Sequence, residues 1–73
     1  MKGVVLKRDG DLTTVFWRET FIGYVHRRPS DRKWVETAWV GQSFTRLPVV
    51  HATKDAAVNN LVAVQGFAND NHR

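Results

Sequence analysis

The sequence predicts an α+β domain in which a small antiparallel sheet of three to four strands packs against one C-terminal helix. Three observations support this class. The chain is 73 residues long, which is the size of one small domain. Up to residue 50 it is rich in β-branched and aromatic residues interrupted by turn-forming residues, whereas helical periodicity is confined to residues 53–65. Strands followed by a helix are typical of the α+β class.

The domain boundaries follow from the same pattern. Residues 1–67 are expected to form a single domain, with Phe67 folding back on the core. Residues 68–73 (ANDNHR) have nothing to bury, so we predict a disordered C-terminal tail there.

The first two predicted strands form a hairpin. They cover residues 4–7 and 12–17, and the second is mostly β-branched or aromatic. The pair Asp9-Gly10 between them favours a type I′ turn, in which both central residues have positive φ. A polar link, residues 18–20, leads into the next strand.

A second hairpin, residues 21–41, is the stretch around which the rest of the chain is organised. Its strands are predicted over residues 21–28 and 33–40, joined by a polar turn that contains a proline. Strict alternation places Ile22 and Gly23 on opposite faces, and it places Glu36 beside Trp34 with its carboxylate in water. Both faces are partly apolar. Since a single helix can cover only one of them, the other is expected to remain partly open.

Residues 42–52 predict an irregular connection, because Pro48 disfavours helix for the residue before it. Phe44 is expected to be buried there, and residues 49–50 are a candidate edge strand.

The helix is predicted over residues 53–65. Thr53 is a suitable N-cap, and the Asp55 carboxylate meets the positive end of the helix dipole. Gly66 is expected at the C′ position. The predicted apolar stripe consists of Ala57, Val58, Leu61, Val62 and Val64.

Composition argues against an enzyme and against a cofactor or metal site. The chain has no cysteine, which excludes a disulfide, a thiolate nucleophile and a cysteine zinc site. His26, His51 and His72 lack the short spacing of metal ligands, and no glycine-rich phosphate loop is present. No signal peptide or membrane-spanning segment is visible, so a soluble protein in a reducing cytoplasm is expected, with no membrane partner.

Positive charge gathers at the tip of the second hairpin. The net charge of +4 favours an acidic partner, either nucleic acid or an acidic protein surface. Arginine suits such partners because its planar fork bonds phosphate or carboxylate bidentately. A half-exposed tryptophan beside a basic residue is a typical interface anchor. The candidate partner-binding residues are Arg27, Arg28, Arg32, Lys33, Trp17 and Trp34. The alternatives are plain solvation of the tip or protection of the sheet edge against aggregation, and full burial of all three tryptophans.

Three segments resemble known small proteins of phages and bacteria: Gly23-Tyr24-Val25, Lys33-Trp34-Val35-Glu36, and the TKDAAV run that begins at Thr53. In this order they are similar to the sheet-plus-helix DNA-binding domains of the AP2 and integrase-arm type. That resemblance implies a sheet that lies in the major groove of DNA.

In length, cysteine-free composition and mixed-charge, aromatic-rich character, the chain also resembles the very small lytic-phage transcription regulators that bind host RNA polymerase. Some of these weaken σ-factor association, and some also promote antitermination. This second resemblance implies binding without catalysis.

The leading hypothesis is therefore a monomeric phage regulator in the host bacterial cytoplasm that binds an RNA polymerase subunit and inhibits transcription initiation. The alternatives are sheet-mediated DNA binding, or inhibition of another host nucleic-acid machine such as a nuclease complex.

Overall fold

The computed structural model describes residues 3–66, which form one five-stranded antiparallel sheet and one helix. The α+β class is confirmed, and the five strands exceed the predicted three to four. The predicted tail, residues 68–73, lies outside the described residues, as does Phe67. The elements in chain order are β1 (Val4–Asp9), β2 (Leu12–Trp17), β3 (Thr20–Arg27), β4 (Trp34–Val40), β5 (Ser43–Arg46) and α1 (Lys54–Val64).

The strands lie in the sheet in their chain order, so each one pairs with the strand before it. The β1–β2 hairpin closes with Asp9 opposite Leu12, which makes Gly10 and Asp11 the central turn residues. Of these two only Gly10 has positive φ, at 62°. Positive φ at the first central position alone, with glycine there, is typical of a type II′ turn. The predicted type I′ turn at this site is therefore wrong.

Strand β5 occupies a segment that was predicted to be irregular. Val40 pairs with Ser43 across a two-residue turn, and both central residues, Gly41 and Gln42, have positive φ. A turn of this kind matches the twist of the flanking strands, so it returns the chain directly along β4. As a result Phe44 lies on an edge strand with 52% of its surface exposed, and its predicted burial is wrong. The candidate edge strand over residues 49–50 is not a strand.

A β-bulge between β2 and β3 overturns the strict alternation predicted for the second hairpin. Val15 pairs with Gly23 and Phe16 with Phe21, which leaves Ile22 as the extra residue. Because of this extra residue Ile22 turns into the core, where it is 1% exposed, while Phe21 moves to the opposite face.

The core lies between one face of the sheet and α1, which packs on β3 and β4. Helix α1 begins after its N-cap Thr53, whose Oγ1 accepts a hydrogen bond from the Ala56 amide at 3.1 Å, as predicted. Gly66 follows with positive φ, also as predicted. Val64 is 53% exposed, so its place in the apolar stripe is wrong. The buried core residues are Val15, Ile22, Val25, Ala38, Ala57, Val58, Leu61 and Val62.

Gly23 sets how closely the layers approach. Its φ is 145°, a conformation that residues with a side chain rarely adopt. A Cβ at this position would overlap the Thr37 carbonyl oxygen and press on Leu61 Cδ2 at 3.2 Å. No helix among the described residues has the length and apolar character needed to cross a membrane.

Candidate functional site

The sheet face opposite α1 carries a cluster of aromatic rings. Within residues 3–66 no helix packs on this face. The Trp39 and Phe44 rings lie 4.7 Å apart between centroids, and Tyr24 lies 5.3 Å from Phe44. The centroid of the Phe21 ring lies 5.9 Å from the ring centroids of both Phe16 and Trp39. We call this surface the aromatic face, and its members are Phe16, Phe21, Tyr24, Trp39 and Phe44.

Two cations flank the aromatic face. The strand register places Lys7 and Arg46 at opposite ends of one row across the sheet, with Tyr24 at its centre. Both cations are exposed, and Lys7 Nζ lies 5.8 Å from the centroid of the Phe16 ring. This surface therefore combines apolar ring area with positive charge on either side.

The predicted basic tip is an ordered turn. The Arg28 amide donates to the Lys33 carbonyl oxygen at 2.7 Å, and the Arg32 amide donates to the Arg28 carbonyl oxygen at 2.8 Å. The Arg28 guanidinium forms an ion pair with Asp31, which also accepts from the Lys33 amide at 3.1 Å. The Arg28 hydrogen bond, followed by that of the Lys33 amide, lowers the pKa of Asp31, and the same Arg28–Asp31 bond raises the pKa of Arg28. Arg28 is thus engaged within the turn, whereas the Arg32 and Lys33 side chains project from it without an ion pair among the described residues.

Arg27 and Trp34 lie together on the helix side of the sheet. They are paired across β3 and β4, and the Arg27 guanidinium carbon lies 6.0 Å from the Trp34 ring centroid. Lys54 Nζ, from the first residue of α1, lies 5.9 Å from the same ring. Together with Arg8 these residues line a cavity of about 260 Å³. The structure therefore adds two cations, Arg8 and Lys54, that sequence reasoning did not single out.

Trp17 lies far along the sheet from these residues. It pairs with Thr20 beside the β2–β3 turn, packs partly buried against the core, and has the Arg18 guanidinium 5.7 Å from its ring. The predicted partner-binding residues thus occupy three places: the turn (Arg28, Arg32, Lys33), the cavity (Arg27, Trp34) and the far end of β2 (Trp17).

Glu36 is buried, contrary to the prediction that it faces water. Its side chain is fully enclosed between β4 and α1, where Oε1 lies 2.6 Å from His51 Nε2 and accepts from Asn60 Nδ2 at 2.7 Å. The Oε2 atom is buried without a hydrogen-bond partner in the described part of the chain. The segment before α1 explains the difference, because His51 forms two backbone hydrogen bonds with Trp34, at 2.7 and 2.9 Å, and so covers Glu36.

This polar cluster joins one carboxylate, one imidazole and one amide, which is a structural network that ties α1 and residue 51 to β4. Among the described residues, no group of three or more histidine, aspartate and glutamate side chains is placed to hold a metal ion.

No protein-family model, curated protein or solved structure matches the chain.

Proposed function

We propose that this protein is a non-enzymatic phage regulator that binds bacterial host RNA polymerase and inhibits transcription initiation through protein–protein contacts. The observation that carries the proposal of a binding module is the aromatic face. The choice of polymerase rests on the resemblance to small lytic-phage regulators in length, cysteine-free composition and mixed charge.

The aromatic face has the chemical character of a protein-binding hot spot. Aromatic side chains are enriched in the buried centres of protein–protein interfaces, where a few of them supply most of the binding energy. Phe44 contacts Phe21, Tyr24 and Trp39, so the rings already restrict one another before a partner arrives. Binding would then cost little additional side-chain entropy.

The flanking charges complement such a partner. Lys7 and Arg46, both exposed, border the aromatic face on its two sides. Polymerase surfaces that bind DNA or σ factor are ringed by charge, so complementary cations would steer association and make its rate sensitive to salt.

The experiment is capture of purified bacterial RNA polymerase by the immobilised chain, followed by promoter-dependent transcription with the captured complex. We expect retention of the polymerase and fewer initiated transcripts. Phe44→Ser should weaken capture by about thirtyfold, the loss expected of a hot-spot residue. Val64→Ser is the matched control, because Val64 is equally exposed (53% against 52%) but lies on α1.

Failure of the wild-type chain to retain any polymerase subunit would refute the choice of partner. Equal capture by Phe44→Ser and Val64→Ser, with both thermal midpoints near that of the wild type, would refute the role of the aromatic face.

A second candidate is sheet-mediated DNA binding of the AP2 or integrase-arm type. It is favoured by a sheet that has a helix on one face and an open opposite face bordered by Lys7 and Arg46. A duplex DNA titration of the wild type beside Lys7→Gln distinguishes the two, since a sheet-mediated DNA binder should lose affinity steeply as salt rises, and less steeply once the Lys7 phosphate contact is removed.

A further inference from the structure

We propose that the cavity lined by Arg8, Arg27, Lys54 and Trp34, which we call the cationic cavity, binds a phosphate group of a nucleic-acid strand. This inference does not depend on the proposed binding of polymerase, because the cavity lies on the helix side of the sheet and the aromatic face on the other.

Positive charge converges on the cationic cavity. Three cations reach one cavity of about 260 Å³ from three separate elements: Arg8 from β1, Arg27 from β3 and Lys54 from α1. Asp11 contributes the one carboxylate among the lining residues. Like charges held close together repel, so an arrangement with this excess of positive charge is stabilised by a bound anion.

The three cations of the cavity are not neutralised within the described part of the chain. None of the three forms an ion pair with a carboxylate there. Arg8 donates from Nε to the Gly10 carbonyl oxygen at 3.3 Å, which orients the guanidinium. Its terminal nitrogens can then bond a phosphate, for which the planar fork of arginine is well suited.

The wall of the cavity that Trp34 forms is held rigidly. Trp34 is anchored by two backbone hydrogen bonds with His51, and its ring lies beside both Arg27 and Lys54. Lys54 is the first residue of α1, so the positive end of the helix dipole lies on the same side of the cavity. The Thr13 side chain, which is 2% exposed, adds a polar group to the lining.

The size of the cavity indicates the class of ligand. A half-open cavity of about 260 Å³ has room for one phosphate with part of its sugar. The turn between Arg27 and Trp34 carries two further exposed cations, Arg32 and Lys33, which extend the positive charge beyond the cavity. A strand with repeated phosphates satisfies both features, because one phosphate can enter the cavity while its neighbours contact the turn.

The test is fluorescence anisotropy with a labelled single-stranded DNA of about 12 nucleotides, over a salt range of about 50 to 200 mM. We expect Arg8→Gln, Arg27→Gln and Lys54→Gln each to weaken binding about threefold to tenfold. Each should also reduce the slope of log K against log salt by about 0.7, the value for one lost phosphate contact on a single strand.

Arg18→Gln is the matched control, because Arg18 is also an exposed cation beside a tryptophan ring but lies at the β2–β3 turn. Its binding should equal that of the wild type, and so should that of Phe44→Ser. Inorganic phosphate should compete with the strand in the wild type and less in Arg27→Gln.

Four results would overturn the proposal. The first is that the wild type does not bind the strand even at the lowest salt. The second and third are that Arg18→Gln or Phe44→Ser loses as much strand affinity as the cavity variants do, and the fourth is that AMP binds as tightly as the strand. The first three would exclude the cationic cavity as the site, and the last would exclude a strand as its ligand. The strand-binding measurements do not use polymerase, so a failure of polymerase capture would not affect them.

Discussion

Replacing Glu36 with alanine removes the acceptor shared by two donors at the boundary between β4 and α1. Asn60 Nδ2 and His51 Nε2 both lie within 2.7 Å of Glu36 Oε1. A buried donor left without its acceptor costs about 1–3 kcal/mol. His51 retains 14% side-chain exposure, so water can satisfy part of its lost bond. Removing the Oε2 atom, which has no hydrogen-bond partner within residues 3–66, returns some of the cost. We therefore expect Glu36→Ala to lower the free energy of unfolding by about 3 kcal/mol.

That loss is large for a chain of this size. At roughly 0.05–0.15 kcal/mol per residue, 73 residues give a total free energy of unfolding of about 4–11 kcal/mol. In urea, with a slope near 1 kcal/mol/M, the midpoint should fall by about 3 M. Glu36→Gln should cost less, about 2 kcal/mol, because the amide oxygen still accepts both bonds, while the amide NH2 group takes the buried position of Oε2, which has no partner among the described residues.

The control for this measurement is Glu19→Ala, since Glu19 is exposed in the β2–β3 turn and should change stability by no more than about 0.5 kcal/mol. If Glu36→Ala unfolds at the same urea concentration as Glu19→Ala, the carboxylate does not hold the network, and its assignment as a buried acceptor is wrong.

Two further predictions concern the backbone and the turn. Gly23→Ala should lower the free energy of unfolding by about 3 kcal/mol. The new Cβ would overlap the Thr37 carbonyl oxygen, and alanine would be strained at this positive φ. A urea midpoint within error of the wild-type value would contradict this prediction. The pKa of Asp31, measured by NMR titration, should lie below its ordinary value of 3.8. The stabilisation from its ion pair is therefore present above pH 3.8, and it is lost as the pH falls through the lower pKa of the folded state. Arg28→Gln should return the pKa of Asp31 toward 3.8. If the substitution left that pKa unchanged, the ion pair would not form in solution.

The elements that depend on local signals could be predicted from the sequence. Helix α1 is the clearest example, since its N-cap Thr53, its buried stripe and Gly66 all lie within one short segment. Strand β5 could not be predicted in the same way. It depends on Gln42 adopting positive φ next to Gly41, and glutamine carries no strong preference for that conformation.

The errors at Ile22 and Glu36 have a different cause. A single bulged residue reverses the facing of the strand on one side of it, and strict alternation has no means of locating it. The burial of Glu36 is decided by partners 15 and 24 residues away, which no local pattern connects to it.

The candidate site was predicted in part. Sequence spacing placed the cations of the turn together, and the structure adds Arg8 and Lys54 beside Arg27 and Trp34. Those two residues reach the cavity only through the order of the strands and the docking of α1. To predict that Arg8 and Lys54 line the cavity, one would need the full strand register, which the sequence alone does not provide.

The simple strand order also bears on how the chain folds. Because every strand pairs with its immediate predecessor, the sheet can grow by one hairpin at a time, and closure of long loops is delayed until α1 docks. During synthesis the helix is the last of these elements to leave the ribosome. Until then the apolar surface formed by Val15, Val25 and Ala38 has nothing to cover it, and the nascent sheet exposes both of its faces at once. The sheet is therefore vulnerable to association with its neighbours until α1 has left the ribosome and docked on β3 and β4.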